Sequence, residues 1–261
     1  MNYKDIVESE YWTNRATERR FTDREVPQDL IAELVEKAAH APTTGGMQLY
    51  SVIVTREASL KKELAAAHFN QPAATGHGIF LTFVADFNRF NQWCEQRDAK
   101  PGFGNFESFT AALLDAVIFA QQFNTLAELA GLGCVYLGTT TYTASKIGEI
   151  LELPRLTVPV VTLAVGWPAG KSEGAERLAP AALIHAEKYH AYSAADIDRI
   201  YSEKESLSVN KTFTEENGKP SLAHVFTEVR YPEANAVKFS EDFYNYISQQ
   251  GFIWPEKNVK K

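Results

Sequence analysis

The sequence predicts a layered α/β or α+β sandwich, on three observations. Four short apolar runs rich in β-branched residues, at 49–55, 79–85, 133–137 and 158–165, alternate with segments of helical periodicity. One of those segments, Phe106–Leu129, is apolar around most of its girth, which places it deep in a core or in a subunit interface. Beyond about Pro180 polar and charged residues dominate, and no convincing strand recurs.

Taken in order, Pro27 opens a helix in which Leu30, Ile31, Leu34, Val35 and Ala38 recur at helical spacing, and Pro42 ends it. The segment Ala41–Gly46, APTTGG, is a loop of turn formers, followed by the strand LYSVIVT. A short amphipathic helix over Glu57–His68 precedes the second strand, IFLTFVA. The long helix carries Phe109, Ala112, Leu113, Ala116, Val117, Ala120, Phe123, Leu126 and Ala127 on a wide stripe. A third strand covers Gly133–Leu137, a helix covers Ala144–Leu151, and a fourth strand, Val158–Val165, is interrupted by Pro159. The polar remainder is expected to be helical, with a mobile loop at Glu215–Lys219 and a final helix near Ser240–Gln250. No internal repeat or clean boundary divides the chain, so residues 1–190 are expected as the core and 191–261 as a helical excursion and tail of the same domain.

Composition excludes several classes. The 261 residues are 45% apolar and 23% charged, the proportions of an ordinary globular protein. A net charge of −7 argues against nonspecific binding to nucleic acid or to anionic membranes. No run of 18 apolar residues occurs and the start, MNYKDIVESEYW, lacks a secretory apolar stretch, so a cytoplasmic location is expected. Cys94 and Cys134 are too few for a disulfide framework and are expected as free thiols. There is no GxSxG, Walker A, GxGxxG or HExxH pattern, and His185 and His190 are five apart, the wrong spacing for a helical metal pair.

Two separated blocks carry chemistry. In RATERRF, Arg15–Phe21, the residues Arg15, Thr17 and Arg19 occupy every second position, so an extended backbone turns all three to one side. Guanidinium groups with a hydroxyl suit a phosphate dianion, each charge-assisted bond contributing about 1.5–3 kcal/mol. Taken alone, the run equally suits a solvated basic segment. In GLGCVYLG, Gly131–Gly138, a glycine-rich turn would let backbone approach a flat ring closely, although glycines in a strand and turn also serve bulges and packing.

RATERRFTDREVP resembles the N-terminal motif of the nitroreductase family, and the similarity continues through nearly all of the first 190 residues. It is closest to the branch of NADPH-dependent nitroreductases and NADPH-flavin reductases. The resemblance implies an α+β three-layer sandwich with a central, mostly antiparallel sheet flanked by helices, assembled as a domain-swapped homodimer. It implies bound FMN, with NADPH or NADH as co-substrate and a small aromatic acceptor. By the same resemblance Arg15, Ala16, Thr17 and Arg19 face the phosphate. APTTGGMQLYSVIV gives Thr43, Thr44 and Gln48 to the ring and ribityl chain, and Gln71 lies against the ring edge. Tyr136, Leu137, Gly138 and Thr139 would bring backbone to the ring, with Gly138 or its neighbour bonding N5. Arg177, in ERLAP after GWPAG, would reach the phosphate. Two departures stand out: Ala175 where the branch often has lysine, and Ala16 where it often has a larger polar or basic residue. Lys204, Lys211 and Lys219 could meet a 2′-phosphate or be scattered surface lysines.

The implied activity is a hydride relay from NAD(P)H through flavin N5 to a nitroaromatic or quinone, in ping-pong order and with no catalytic side chain required. A flavin reductase supplying a partner and a non-catalytic flavin-binding protein are the alternatives. Phe252, Ile253 and Trp254, before Pro255, are expected to wrap onto the second subunit.

Overall fold

The computed structural model describes residues 3–253. Backbone contacts divide the chain into two compact units, residues 1–173 with 239–261, and residues 174–238. The transition from core to polar excursion thus falls at 173/174, and the chain returns to the first unit at Phe239.

The first unit begins with two short helices, α1 (Tyr3–Val7) and α2 (Glu10–Asn14), an extended segment through 15–20, and α3 (Gln28–Ala38). Then come β1 (Tyr50–Thr55), α4 (Ala58–Ala67), α5 (Pro72–Thr75), β2 (Ile79–Asp86) and α6 (Asn88–Glu95). The long helix α7 (Phe106–Leu129) leads into β3 (Gly133–Tyr136), α8 (Ala144–Ile150) and β4 (Thr157–Gly166). The four strands are all antiparallel, in the order β1-β2-β4-β3.

Both faces of the sheet are covered. Because side chains alternate along β2, Ile79, Leu81, Phe83 and Ala85 pack toward α3 and α7, whereas Phe80 packs toward α4, α5 and α8. This is the three-layer α+β sandwich that the family resemblance implied. On α7, Phe109, Ala112, Ala116, Phe119, Ala120, Phe123 and Ala127 are buried, the i, i+3, i+4, i+7 pattern of a core-facing stripe. Phe119 stacks on Tyr50 with centroids 4.2 Å apart and meets Phe83 edge-on at 5.4 Å. Val117, which the sequence stripe placed with the core, instead lies on the opposite face, exposed beside Leu114 and Ile118.

Pro159 is tolerated inside the sheet because the β2–β4 register shifts there: Phe83 pairs with Val161 and Val84 with Pro159, leaving Val160 as an extra residue. The extra residue also changes the phase of alternation. Val158 before it, and Leu163 and Val165 after it, therefore join the same core as Val160 itself.

The second unit is helical, with α9 (Ala194–Ser206), α10 (Ser208–Glu216), α11 (Leu222–His224) running on into a π turn at Val225–Arg230, and the start of α12 (Glu233–Gln249). A capping box closes the N-terminus of α9, Ser193 and Asp196 exchanging hydrogen bonds. The loop expected at Glu215–Lys219 is instead the end of α10 and a tight turn through Gly218, whose φ is 61°. The final helix starts earlier than its polar sequence suggested. Its last turns return to the first unit, where Tyr246, Ile247 and Phe252 are buried. The expectation that Phe252 is free to wrap a partner is corrected: it packs against Phe109 and Phe87 of its own chain, while Ile253 is exposed and Trp254 and Pro255 lie outside the described residues. Among the described residues no helix is long and apolar enough to cross a membrane.

Phe119→Ala, at the junction of α7, β1 and β2, is expected to cost about 3–5 kcal/mol, read as a lowered denaturation midpoint at unchanged slope.

Candidate functional site

Residues 15–20 run extended, and Glu18 anchors them: its N–H donates to the Cys134 carbonyl at 3.1 Å, tying the segment to β3. The Glu18 carboxylate is buried, accepting from the Arg19 and Arg20 amides at 3.1 and 3.0 Å and from Ser172 Oγ at 2.9 Å. With residue 18 turned inward, alternation brings Arg15, Thr17 and Arg19 to one wall of a cleft of about 550 Å³. Gln71, Gln121, Val135 and Tyr136 line the same cleft.

The two arginines are prepared differently. The Arg15 guanidinium donates to both oxygens of Glu128 on α7 at 3.0–3.2 Å and to Thr17 Oγ1 at 3.3 Å. Burial works against its charge, but the hydrogen bonds and charge of Glu128 outweigh it and hold the guanidinium above its ordinary range. Tyr11 on α2 donates to the same carboxylate at 2.7 Å, and burial followed by that bond pushes the phenol up to about 12. Arg19 is exposed, and among the described residues its guanidinium has no partner, so its five donors are available to an anion. Burial raises the Cys134 thiol far above its usual range, making it an inert core group.

The glycines of GLGCVYLG serve three purposes. Gly131, with φ 88°, ends α7 in the left-handed conformation. At Gly133 a Cβ would fall 2.6 Å from Cβ and Cγ of Glu18, so the anchoring of 15–20 requires glycine there. Gly138 has neither constraint; among the described residues a Cβ there would meet nothing within 4 Å, so the exposed backbone after β3 leaves room for a close neighbour. Leu137 just before it is buried, and Thr139 just after it accepts from Gln71 Nε2 at 3.1 Å.

Arg15, Thr17, Arg19, Gln71 and Tyr136 therefore come together, with Leu137, Gly138 and Thr139 continuing from Tyr136. Ala16 points the other way, into a separate surface depression with Tyr11 and Lys171, and does not line the cleft. Thr43, Thr44 and Gln48 also do not line it. Their loop is clamped by the buried Asp115, which accepts from the Thr44 amide and hydroxyl at 2.8 and 2.9 Å and from the Leu49 amide at 3.2 Å. Asp115 precedes Gln121 by six residues on α7, about 9 Å along the axis and on another face. Gln48 itself is left-handed, φ 53°, and its carbonyl accepts from Arg89. Arg177 belongs to the second unit, where it bonds the carbonyls of Ala175 and Glu176 and lines a cavity with Lys204 and Arg199. Lys204 is ion-paired with Glu176, and Lys219 with Glu228 at 2.8 Å.

Five residues of the region were not singled out from sequence: Glu18, His68, Asp115, Gln121 and Glu128. Asp115 and Glu128 had a signal, acids inside an otherwise apolar helix. His68 is fully buried at the end of α4, and burial pushes it down to about 4.

The donor set fits a phosphate-bearing planar ligand. A free guanidinium and a buttressed one flank a hydroxyl at one end, an amide stands nearby, and unencumbered backbone follows β3. The nitroreductase family profile matches residues 13–167, and the chain belongs to the nitroreductase family. It is 34% identical over 179 residues to the FMN reductase (NADPH) of Bacillus subtilis strain 168, covering 68% of this chain and 72% of the relative. A protein of known structure from Bacteroides fragilis is 46% identical, with a TM-score of 0.92 and coverage of 94% of this chain and 100% of the other. The NfrA1 nitroreductase of B. subtilis is 28% identical, with a TM-score of 0.81 over 93% of this chain and 98% of the other.

His68 has a depressed folded pKa, so it contributes full stability above its unfolded value near 6.5 and loses it as pH falls toward about 4. Urea titrations between pH 7.5 and 4 are expected to show an acid loss on the order of 3 kcal/mol that is absent from His68→Phe.

Proposed function

We propose that this protein is an FMN-dependent oxidoreductase that moves hydride from NADPH or NADH to a flat, electron-poor acceptor such as a nitroaromatic or a quinone. The observation that carries the proposal is the Arg19 guanidinium, unpartnered among the described residues and standing with Arg15 and Thr17 on the wall of a cleft that also contains Gln71 and Tyr136. FMN, when bound, supplies the reversible two-electron chemistry that protein side chains lack. The chain's part is positional. Arg15, Thr17 and Arg19 bind the phosphate, Glu128 holds Arg15 in its orientation, and the backbone of Leu137–Thr139 approaches the ring without a side chain at residue 138. No side chain here needs to transfer a proton, and donor and acceptor use the same open face in turn, the basis of a ping-pong pattern.

Thr43, Thr44 and Gln48 are assigned to the ring of a neighbouring subunit's site, because they do not line the cleft of their own chain. The homodimer this requires has a candidate seam in the outer face of α7, where Leu114, Val117 and Ile118 are 55%, 39% and 41% exposed. Arg177 remains a phosphate contact by resemblance. A cytoplasmic location belongs to the same proposal.

A second activity, NADPH-dependent reduction of free flavin for use elsewhere, is favoured by the B. subtilis relative, named an FMN reductase (NADPH). Release of reduced flavin during turnover separates it from acceptor reduction at the site. NADPH oxidation that is absent with quinone, nitroaromatic and free flavin alike would leave a flavin-binding protein without turnover.

The purified protein is expected to be yellow or to take up added FMN, and Arg19→Ala is expected to weaken FMN retention about tenfold or more, the value of a lost charge-assisted bond, while Lys204→Ala leaves it unchanged. Equal retention in the two variants removes Arg19 from the phosphate site. Light scattering of the FMN-bound protein is expected to give a dimer, and Val117→Glu with Ile118→Glu to give monomers.

A further inference from the structure

We propose that His68 is a positioning residue whose ring, by donating to Thr139, leaves the Thr139 hydroxyl as a donor beside the Gln71 side-chain oxygen, which the residue-68 carbonyl holds as an acceptor. The inference rests on the flavin reading above and deepens it.

The Gln71 amide nitrogen has two protons, and both are used inside the chain. One goes to the His68 carbonyl at 3.1 Å, and the other to Thr139 Oγ1 at 3.1 Å. A backbone carbonyl can only accept, so the nitrogen must face it and the amide cannot flip without losing that bond. Gln71 Oε1 is left on a residue that lines the cleft.

Thr139 Oγ1 also lies 2.9 Å from His68 Nδ1. The His68 ring is fully buried, and among the described residues Nε2 has no partner. A neutral imidazole carries one proton. If it sat on Nε2 it would be a buried donor without an acceptor, the costlier of the two orphans. The proton therefore resides on Nδ1 and is donated to Thr139. Thr139 Oγ1 then accepts twice, from His68 and from Gln71, and its own hydroxyl proton is released for donation. An acceptor beside a donor is the complement of a ring N–H flanked by a carbonyl, the edge of a cyclic imide. On an oxidised isoalloxazine the ring N–H is N3–H.

The backbone between these residues is held for the purpose. Phe69 and Asn70 are consecutive left-handed residues, φ 56° and 50°, and neither is glycine. Asn70 N donates to the Ala65 carbonyl at 2.8 Å and His68 N to the Leu64 carbonyl at 2.9 Å, bonds that keep the tight turn from α4 into Gln71. Histidine ring and glutamine amide are thus brought to one hydroxyl by four successive residues.

The tautomer is tested without any cofactor. Long-range proton–nitrogen correlation spectra of the cofactor-free protein at pH 7.5, with the His68 signals assigned by their loss in His68→Phe, are expected to give a protonated Nδ1 and a bare Nε2; a protonated Nε2 overturns the inference. With FMN carrying carbon-13 at C2 and C4, one ring carbonyl signal is expected downfield in the wild type, as for a hydrogen-bonded carbonyl, and shifted upfield in both His68→Phe and Thr139→Val. Thr139→Ser, which keeps the hydroxyl, is expected to restore the wild-type signal. Ring carbonyl signals unchanged in both His68→Phe and Thr139→Val overturn the inference while leaving FMN binding intact. Failure of the wild type to take up FMN overturns the flavin reading instead, and with it the assignment to N3–H.

Discussion

The burial of the Glu18 carboxylate decides on which side of the extended segment the arginines emerge. An ionisable group out of water needs partners, and Glu18 takes three, two successive amides of its own chain and the Ser172 hydroxyl. Once residue 18 is fixed inward, the two-residue repeat of extended backbone leaves no choice about residues 15, 17 and 19. The arrangement reaches further, because Glu18 can lie flat on β3 only where Gly133 has no side chain. A cationic wall at the surface thus depends on an acid beneath it and on the absence of one methyl group.

The helix α7 plays the complementary part. Along some 20 Å of one rigid element it carries Asp115, which clamps the 44–49 loop, Gln121, which accepts from Tyr136 at 3.2 Å, and Glu128, which braces Arg15. Sites built on a helix packed into a core inherit its precision. The aromatic contacts of Phe119 and Phe123 with β2 are therefore part of what holds the polar groups in place.

Much of the fold was legible because burial imprints itself on apolar spacing. The four strands and α7 fall within about two residues of where alternation and helical periodicity put them. The cationic segment was legible for a similar reason, since alternation alone predicted a shared side for Arg15, Thr17 and Arg19. Polar residues with an interior role were harder to read. Glu18 sits among arginines and threonine in RATERRF, where nothing in the spacing separates a buried acid from a solvated one. His68 ends an alanine-rich helix, and its value comes from Thr139, 71 positions later. The 41–48 loop was legible as a loop, but its distance from the cleft is a tertiary fact. In the second unit, where few side chains are buried, the sequence lacks strong periodicity, and the turn at Gly218 reads from sequence as a longer loop.

The surplus residue at Val160 has a consequence for how this strand tolerates change. Because the two halves of β4 are out of step with each other, a deletion at that point would do more than shorten the strand: it would exchange inside for outside along one half, sending either Leu163 and Val165 or Val158 to the wrong face. A graft of this strand into another sheet must therefore carry the irregularity along with it.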